Sequence, residues 1–195
     1  MKICNKEFRK IPSERENPID DYIINFFEYF NDNIMRLKTD PNYISIFRLI
    51  MFTFFCNIYI NNKTRKNAII LLFIFCFNYI LDCLDGYLAR KCDSVTVFGD
   101  LIDHIADISI AIMLVHSLRP LTYNDITILT LTVVLAMAHF GCQQKYYNNS
   151  AENMETLDLM IPLCIVDYKY LRYFSAATLV LVFGIMFYFK NIREY

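Results

Sequence analysis

Glycine and proline are scarce, at four and five of 195 residues, and no collagen or coiled-coil period runs through the chain, which removes the fibrous and low-complexity classes. An excess of one charge is also missing. The 19 Lys and Arg against 20 Asp and Glu leave a net charge of -1, so the chain lacks the positive field by which nucleic-acid binders hold a polyanion, and no nucleic-acid partner is expected. The seven cysteines are odd in number and include no C-x-x-C pair, which indicates neither a disulfide framework nor a zinc site. Cys56, Cys76, Cys142 and Cys164 sit inside apolar runs and are expected as small buried hydrophobes. Residues 1 to 18 lack the apolar stretch of a secretory signal, so no cleaved leader is expected. What the chain has in excess is apolar side chains, 56% of the total with a mean hydropathy of +0.31, which excludes wholesale disorder and is too much for an ordinary soluble domain of this length. It reads as a membrane protein.

Two regions follow, a polar segment 1–40 and an apolar domain 41–195. Within the first, Asn17 as cap, Pro18 in the first turn, Asp20 and Asp21 behind it and Arg36 and Lys38 at the far end predict a helix over 17–38. Ile19, Tyr22, Ile23, Phe26, Phe27, Phe30, Ile34 and Leu37 form one apolar stripe opposite Asp21, Asn25, Glu28 and Asp32, the pattern of an amphipathic interfacial helix or of one packed on another element. It should stop before Pro41. Beyond it, apolar runs over 43–60, 67–81, 101–118, 124–142 and 173–189 predict five spans of about 20 residues each. The fold class is therefore all-α, a polytopic transmembrane helix bundle. Residues 143–172 are mixed, and Leu157–Val166 is too short to cross, which suits a re-entrant or interfacial piece. With a cytoplasmic N-terminus twelve Lys and Arg lie inside and six outside, Arg48 falling within the first span, so the turn after the second span is expected to face the cytoplasm.

That turn carries the informative stretch. Between Asp82 and Asp107, 26 residues hold six aspartates and only two bases, Arg90 and Lys91. An unpaired acid at mid-membrane costs about 2.5 to 3.5 kcal/mol on insertion scales, so something must neutralise the deep ones. On helices Asp82 and Asp85 share one face, as do Gly99, Asp103 and Asp107, and two such faces can converge. Carboxylates converging from two helices make a site for a hard cation, Mg²⁺ or Mn²⁺ rather than zinc, because no histidine or cysteine falls in the pattern. Asp93 and Asp100 read as solvated charges. Taken whole, Asp82, Asp85, Gly86, Ala89, Arg90, Gly99, Asp103 and Asp107 spell D-x2-D-G-x2-A-R-x8-G-x3-D-x3-D, with a chance on the order of 10⁻¹⁰ at a given start.

This pattern resembles the signature of the class I CDP-alcohol phosphatidyltransferases, membrane enzymes of phospholipid synthesis, and Pro41 to Arg48 resembles the segment that opens the family's first span. The resemblance implies transfer of a phosphatidyl group from CDP-diacylglycerol to a small alcohol with release of CMP, assisted by two Mg²⁺ or Mn²⁺ ions, in contact with membrane lipids and as a homodimer. It implies Asp82, Asp85, Asp103 and Asp107 as metal ligands, with Asp107 as the general base. Gly86 and Ala89 would admit nucleotide and backbone, Arg90 would contact phosphate or pair an aspartate, and Gly99 would let the second acidic helix approach the first. Arg48, inside the first span, would reach an acceptor phosphate or an acidic partner, or snorkel to the interface. His104 and His116 are expected to fill bundle positions or reach water, and Asn78 to hydrogen-bond a neighbouring helix. His139 and Gln143 share a helix face and resemble the His and Gln of phosphatidylinositol synthases, pointing to myo-inositol as acceptor. The acids and serines that accompany that pair are replaced here by Leu135 and Ala138.

The family commonly has six spans, of which hydropathy supplies five. Two other readings stay open on the residues alone. Asn78-x3-Asp82-x2-Asp85 partly resembles the N-D-x2-D of Mg-dependent intramembrane prenyltransferases, which have about twice as many spans and a second aspartate motif. A non-enzymatic cation carrier would also use acids within the membrane, but leaves Gly86, Ala89 and Arg90 unexplained.

Overall fold

The computed structural model describes residues 9, 13, 16–36, 39–118, 121–148, 155–165 and 168–193, and every regular element among them is helical. The chain forms α1 (Pro18–Tyr29), α2 (Asn31–Arg36), α3 (Pro41–Asn61), α4 (Arg65–Lys91), α5 (Val97–Ser117), α6 (Tyr123–Asn148), a 3₁₀ segment Glu155–Leu163, the short α7 (Tyr168–Leu171) and α8 (Ala176–Tyr188), which continues as a π turn to Arg193. Caps set the starts. The side chains of Asn17, Asp40, Thr64, Thr96 and Ser175 each accept a backbone N–H of their own helix's first turn, and prolines 18 and 41 occupy the first helical position where no donor is needed.

Among the described residues four helices are long and apolar enough to cross a membrane: Pro41–Asn61, Arg65–Lys91, Tyr123–Lys145 and Ala176–Arg193. The third expected span, α5, has 21 residues, but Asp100, Asp103 and Asp107 fall along it. Its acids separate it from an ordinary lipid-embedded helix, and it lies against α3, the helix that also packs along α4. The core gathers Phe52, Cys56 and Tyr59 of α3 with Leu71 and Phe75 of α4, Leu114 of α5, and Phe183 and Phe187 of α8. Outward, Phe47, Phe54, Phe73, Ile112, Leu131 and Ile185 are exposed, an apolar surface suited to lipid rather than water.

The single helix expected over 17–38 is broken at Phe30, where the run Asn31-Asp32-Asn33 of weak helix formers begins α2; Leu37 and Lys38 lie outside the described residues. Nor does the whole apolar stripe act as one face. Ile24 and Phe27 bury against Tyr87 and Leu88 of α4, whereas Tyr22, Phe26 and Tyr29 remain exposed. Glu28, on the expected polar face, joins the packed side, accepting from Tyr87 Oη at 2.6 Å and Lys91 Nζ at 2.9 Å. Burial raises its carboxyl, and those two donors outweigh it to hold Glu28 below the usual range.

The turn from α4 to α5 is closed by backbone chemistry. Ser94 N–H returns to Ala89 C=O at 2.9 Å and Asp93 N–H to Arg90 C=O at 3.2 Å, while Asp93 takes a left-handed φ of 50°. This is the helix-ending arrangement that glycine, asparagine and aspartate accept most readily. Asp93→Asn is therefore expected to keep the unfolding temperature, and Asp93→Val to lose about 1–2 kcal/mol, as thermal unfolding in detergent measures.

The 3₁₀ segment does not cross; it lies along α6. A Cβ on Gly141 would collide with the Met160 carbonyl, a backbone atom that cannot swing aside. Beside this crossing Cys142 and Cys164 form a disulfide with their Cα atoms 4.7 Å apart, and Cys76 is exposed, so the reading of these cysteines as unpaired buried hydrophobes is corrected. Only the fold-back of residues 155–165 onto α6 brings the pair together, which spacing alone does not reveal. Gly141→Ala is expected to lose about 2–3 kcal/mol by forcing the segment off α6, with both a lower unfolding temperature and faster proteolysis of the segment as readouts.

Candidate active site

Helix spacing brings the acids together. Asp82 and Asp85 project from one face of α4 and Asp103 and Asp107 from one face of α5, and the side chain that joins them comes from α3. Arg48 Nη2 meets Asp82 Oδ1 at 2.8 Å and also contacts Asp103 Oδ1, Nη1 donates to Asp107 Oδ1 at 2.8 Å, and Nε lies 3.5 Å from Asp85 Oδ2. Two further bonds fix this arrangement. Ser45 Oγ, one turn before Arg48, donates to Asp85 Oδ2 at 2.7 Å, and Asn78 Nδ2 donates to the Arg48 carbonyl at 2.9 Å, the neighbouring-helix role expected of Asn78.

The acids are not equivalent. Asp85 is buried, whereas half of the Asp107 side chain is open to solvent-accessible space. That space is divided. A polar cavity of about 340 Å³ is lined by Asp82, Asp85, Gly86, Arg90, Asp103 and Asp107 together with Tyr79, His104, His139 and Gln143. An apolar cavity of about 280 Å³, walled by Phe75, Leu114, Val133, Leu179 and Phe183, shares Asp82, Asp107 and Tyr79 with it. The acidic site thus stands where a polar chamber meets a greasy one.

Carboxylate oxygens of Asp82, Asp85 and Asp103 all lie within 4.8 Å of one another. Oxygens that share one Mg²⁺ at about 2.1 Å stand about 3.0 to 4.2 Å apart, so rotations of these side chains would draw the three oxygens into ligating range. The all-oxygen donor set and the cation already held among these acids both fit a hard metal ion. Asp107 stands outside this trio.

Several expectations change. Gly99 lines neither cavity, and the helix it meets is α3: a Cβ there would stand 2.6 Å from Asn42 Oδ1. The reason is that α3 packs along both acid-bearing helices, so α5 closes on α3 rather than on α4. Ala89 is also outside both linings, its carbonyl serving the α4 terminus. Gly86 does line the polar cavity, with the Arg90 guanidinium folded over it, 3.1 Å from where a Cβ would be. Asp100 belongs to the first turn of α5, with His104 Nδ1 3.6 Å away, rather than to a loop. His139 is buried, its Nδ1 2.9 Å from the Leu171 carbonyl.

Two acids of the polar cavity lie outside the motif, Glu16 and Asp20, both delivered by the docking of α1. Burial pushes the Glu16 carboxyl up to about 7, with the Arg90 charge opposing it, and Arg9 Nη1 lies 3.2 Å from Glu16 Oε2. Burial likewise raises Asp20, against the hydrogen bond it accepts from Tyr79 Oη. The apolar spacing that predicted α1 was the one clue that this segment had something to pack on.

A sequence profile of the CDP-alcohol phosphatidyltransferases matches residues 38–192. The chain belongs to the CDP-alcohol phosphatidyltransferase family. Among similar members, the CDP-diacylglycerol–glycerol-3-phosphate 3-phosphatidyltransferase of Rickettsia typhi is 40% identical over 72 residues, covering 36% of this chain and 39% of that protein. The enzyme of the same name from Rickettsia felis is 41% identical over 75 residues, 37% of this chain and 40% of that protein. The match therefore spans about two fifths of the length of these relatives. That of Haemophilus influenzae is 26% identical over 154 residues, 73% of this chain and 83% of that protein. No solved structure matches the chain. In this family the matched region contains the acidic motif, all four of its aspartates and the Arg48 that gathers them.

Proposed function

We propose that this protein transfers the phosphatidyl group of CDP-diacylglycerol to the hydroxyl of a small alcohol, releasing CMP. The observation that carries this reading is the junction of two cavities at Asp82 and Asp107, because the substrate joins a charged nucleotide diphosphate to acyl chains and needs both environments at one point. The nucleotide end lies in the polar cavity over Gly86, with Arg90 beside it to meet phosphate charge. Acyl chain lies in the apolar cavity between α4, α5, α6 and α8.

Asp107, half open and facing both cavities, takes the proton of the attacking hydroxyl. The hydroxyl oxygen bonds to the phosphorus that carries the diacylglycerol, the bond from that phosphorus to the bridging oxygen breaks, and the electron pair leaves with CMP. Two Mg²⁺ or Mn²⁺ ions, held by Asp82, Asp85 and Asp103, would offset the diphosphate charge and stabilise the departing phosphate. Ser45 keeps Asp85 and Arg48 Nη1 keeps Asp107 aimed at that point, and the apolar cavity wall keeps water from competing with the acceptor.

For the acceptor, the names of the relatives favour glycerol 3-phosphate, and the placement of His139 and Gln143 in the polar cavity supports myo-inositol as the second choice. The distribution of Lys and Arg supports a site opening to the cytoplasm, and the exposed aromatics of α1 support its lying at that interface. Family membership leaves the prenyltransferase and cation-carrier readings without support. Membranes containing the protein, given CDP-diacylglycerol, Mg²⁺ or Mn²⁺ and each acceptor in turn, should release CMP with one acceptor and not with the others. Absence of CMP with every acceptor, or cation flux without CMP, would overturn the reading.

A further inference from the structure

Arg48 is the innermost member of the acidic site. Its side chain is 2% exposed, whereas the four acids around it range from 5% to 50%. A buried guanidinium is stabilised only if its donors are met, and here Nη1 and Nη2 are met by carboxylates while Nε, with Asp85 Oδ2 at 3.5 Å, has no hydrogen-bond partner. The two edges of the guanidinium do different things. Nη2 and Nε face Asp82, Asp103 and Asp85, the three residues whose oxygens come close enough for an ion, and Nη1 holds Asp107. A guanidinium and a divalent ion cannot take the same oxygens at full strength.

We propose that Arg48 is the resident cation of this site: Nη2 and Nε hold the place of a divalent ion among Asp82, Asp85 and Asp103, and ion binding must displace them. Without ions, Arg48 prevents the four carboxylates of α4 and α5 from driving the two helices apart. With ions, its released edge is turned toward the phosphates those ions attract. Ion affinity is therefore set by competition with a side chain from α3, and not by the acids alone. The inference rests on the phosphatidyltransferase reading of the site, so its test uses no lipid substrate.

Mn²⁺ is titrated into the purified full-length protein in detergent, with free Mn²⁺ followed by electron paramagnetic resonance and the unfolding temperature recorded in parallel. Arg48→Gln is expected to lower the unfolding temperature of the ion-free protein yet bind Mn²⁺ about tenfold tighter than the parent, with a larger temperature rise on saturation. Arg48→Lys keeps one charge but not the planar fork, and is expected to bind about threefold tighter. A merely structural role predicts the opposite, since a disordered site binds ions more weakly. Should the glutamine variant fail to fold, the lysine variant decides. Unchanged or weaker Mn²⁺ binding in the folded variants overturns the proposal while CMP release by the parent still upholds phosphatidyl transfer. No Mn²⁺ binding by the parent overturns both this proposal and the metal assignment.

Discussion

Asp107→Asn is expected to lower the initial rate of CMP release by about 10³-fold, within the range that loss of a positioned general base produces, while Mn²⁺ binding and unfolding temperature stay near those of the parent. The substitution preserves shape and keeps an Oδ1 to accept from Arg48 Nη1, a bond of 2.8 Å in the parent. It removes the capacity to take a proton. Asp107 is the acid placed for that step because it lies outside the trio of closely spaced oxygens and is the most open of the four, bordering the polar and the apolar cavity at once. An asparagine variant within tenfold of the parent rate would remove Asp107 from proton transfer.

Helical spacing alone placed Asp82 beside Asp85 and Asp103 beside Asp107, because steps of three and four residues fix a shared face whatever the helices pack against. It could not supply the third helix. Arg48 lies 34 residues before Asp82, on a helix whose own pattern is apolar nearly all round, so nothing local distinguishes a guanidinium that snorkels from one that turns inward. The same limit explains Gly99: a small residue announces a close approach without saying to which neighbour. Glu16 and Asp20 escaped because a polar terminus reads as solvated until α1 is docked on α4. Hydropathy misjudged α5 for a related reason, since the acids it contributes to the Arg48 cluster are the ones that spoil it as a lipid-facing span.

The trio should separate from Asp107 in a different measurement. Asp82→Ala, Asp85→Ala and Asp103→Ala are each expected to raise the Mg²⁺ or Mn²⁺ concentration giving half-maximal CMP release by at least about 100-fold, since losing a ligand should cost no less than the 10- to 100-fold of losing its supporting partner. Their stabilities should differ. Asp85 is 4% exposed, and removing it leaves the Ser45 hydroxyl only its longer 3.4 Å bond to the Pro41 carbonyl and takes the nearest acid from Arg48 Nε, which should cost about 3 kcal/mol as well as ion affinity. Asp103, a third of whose side chain is exposed, leaves Arg48 with three acids and should lose ion affinity with little change in unfolding temperature. Asp100→Asn, on the first turn of α5 and outside the trio, should keep the parent's metal-activation curve. If all three alanine variants kept that curve too, the converging carboxylates would be a structural knot around Arg48, and the trio would not be the place where the activating ions bind.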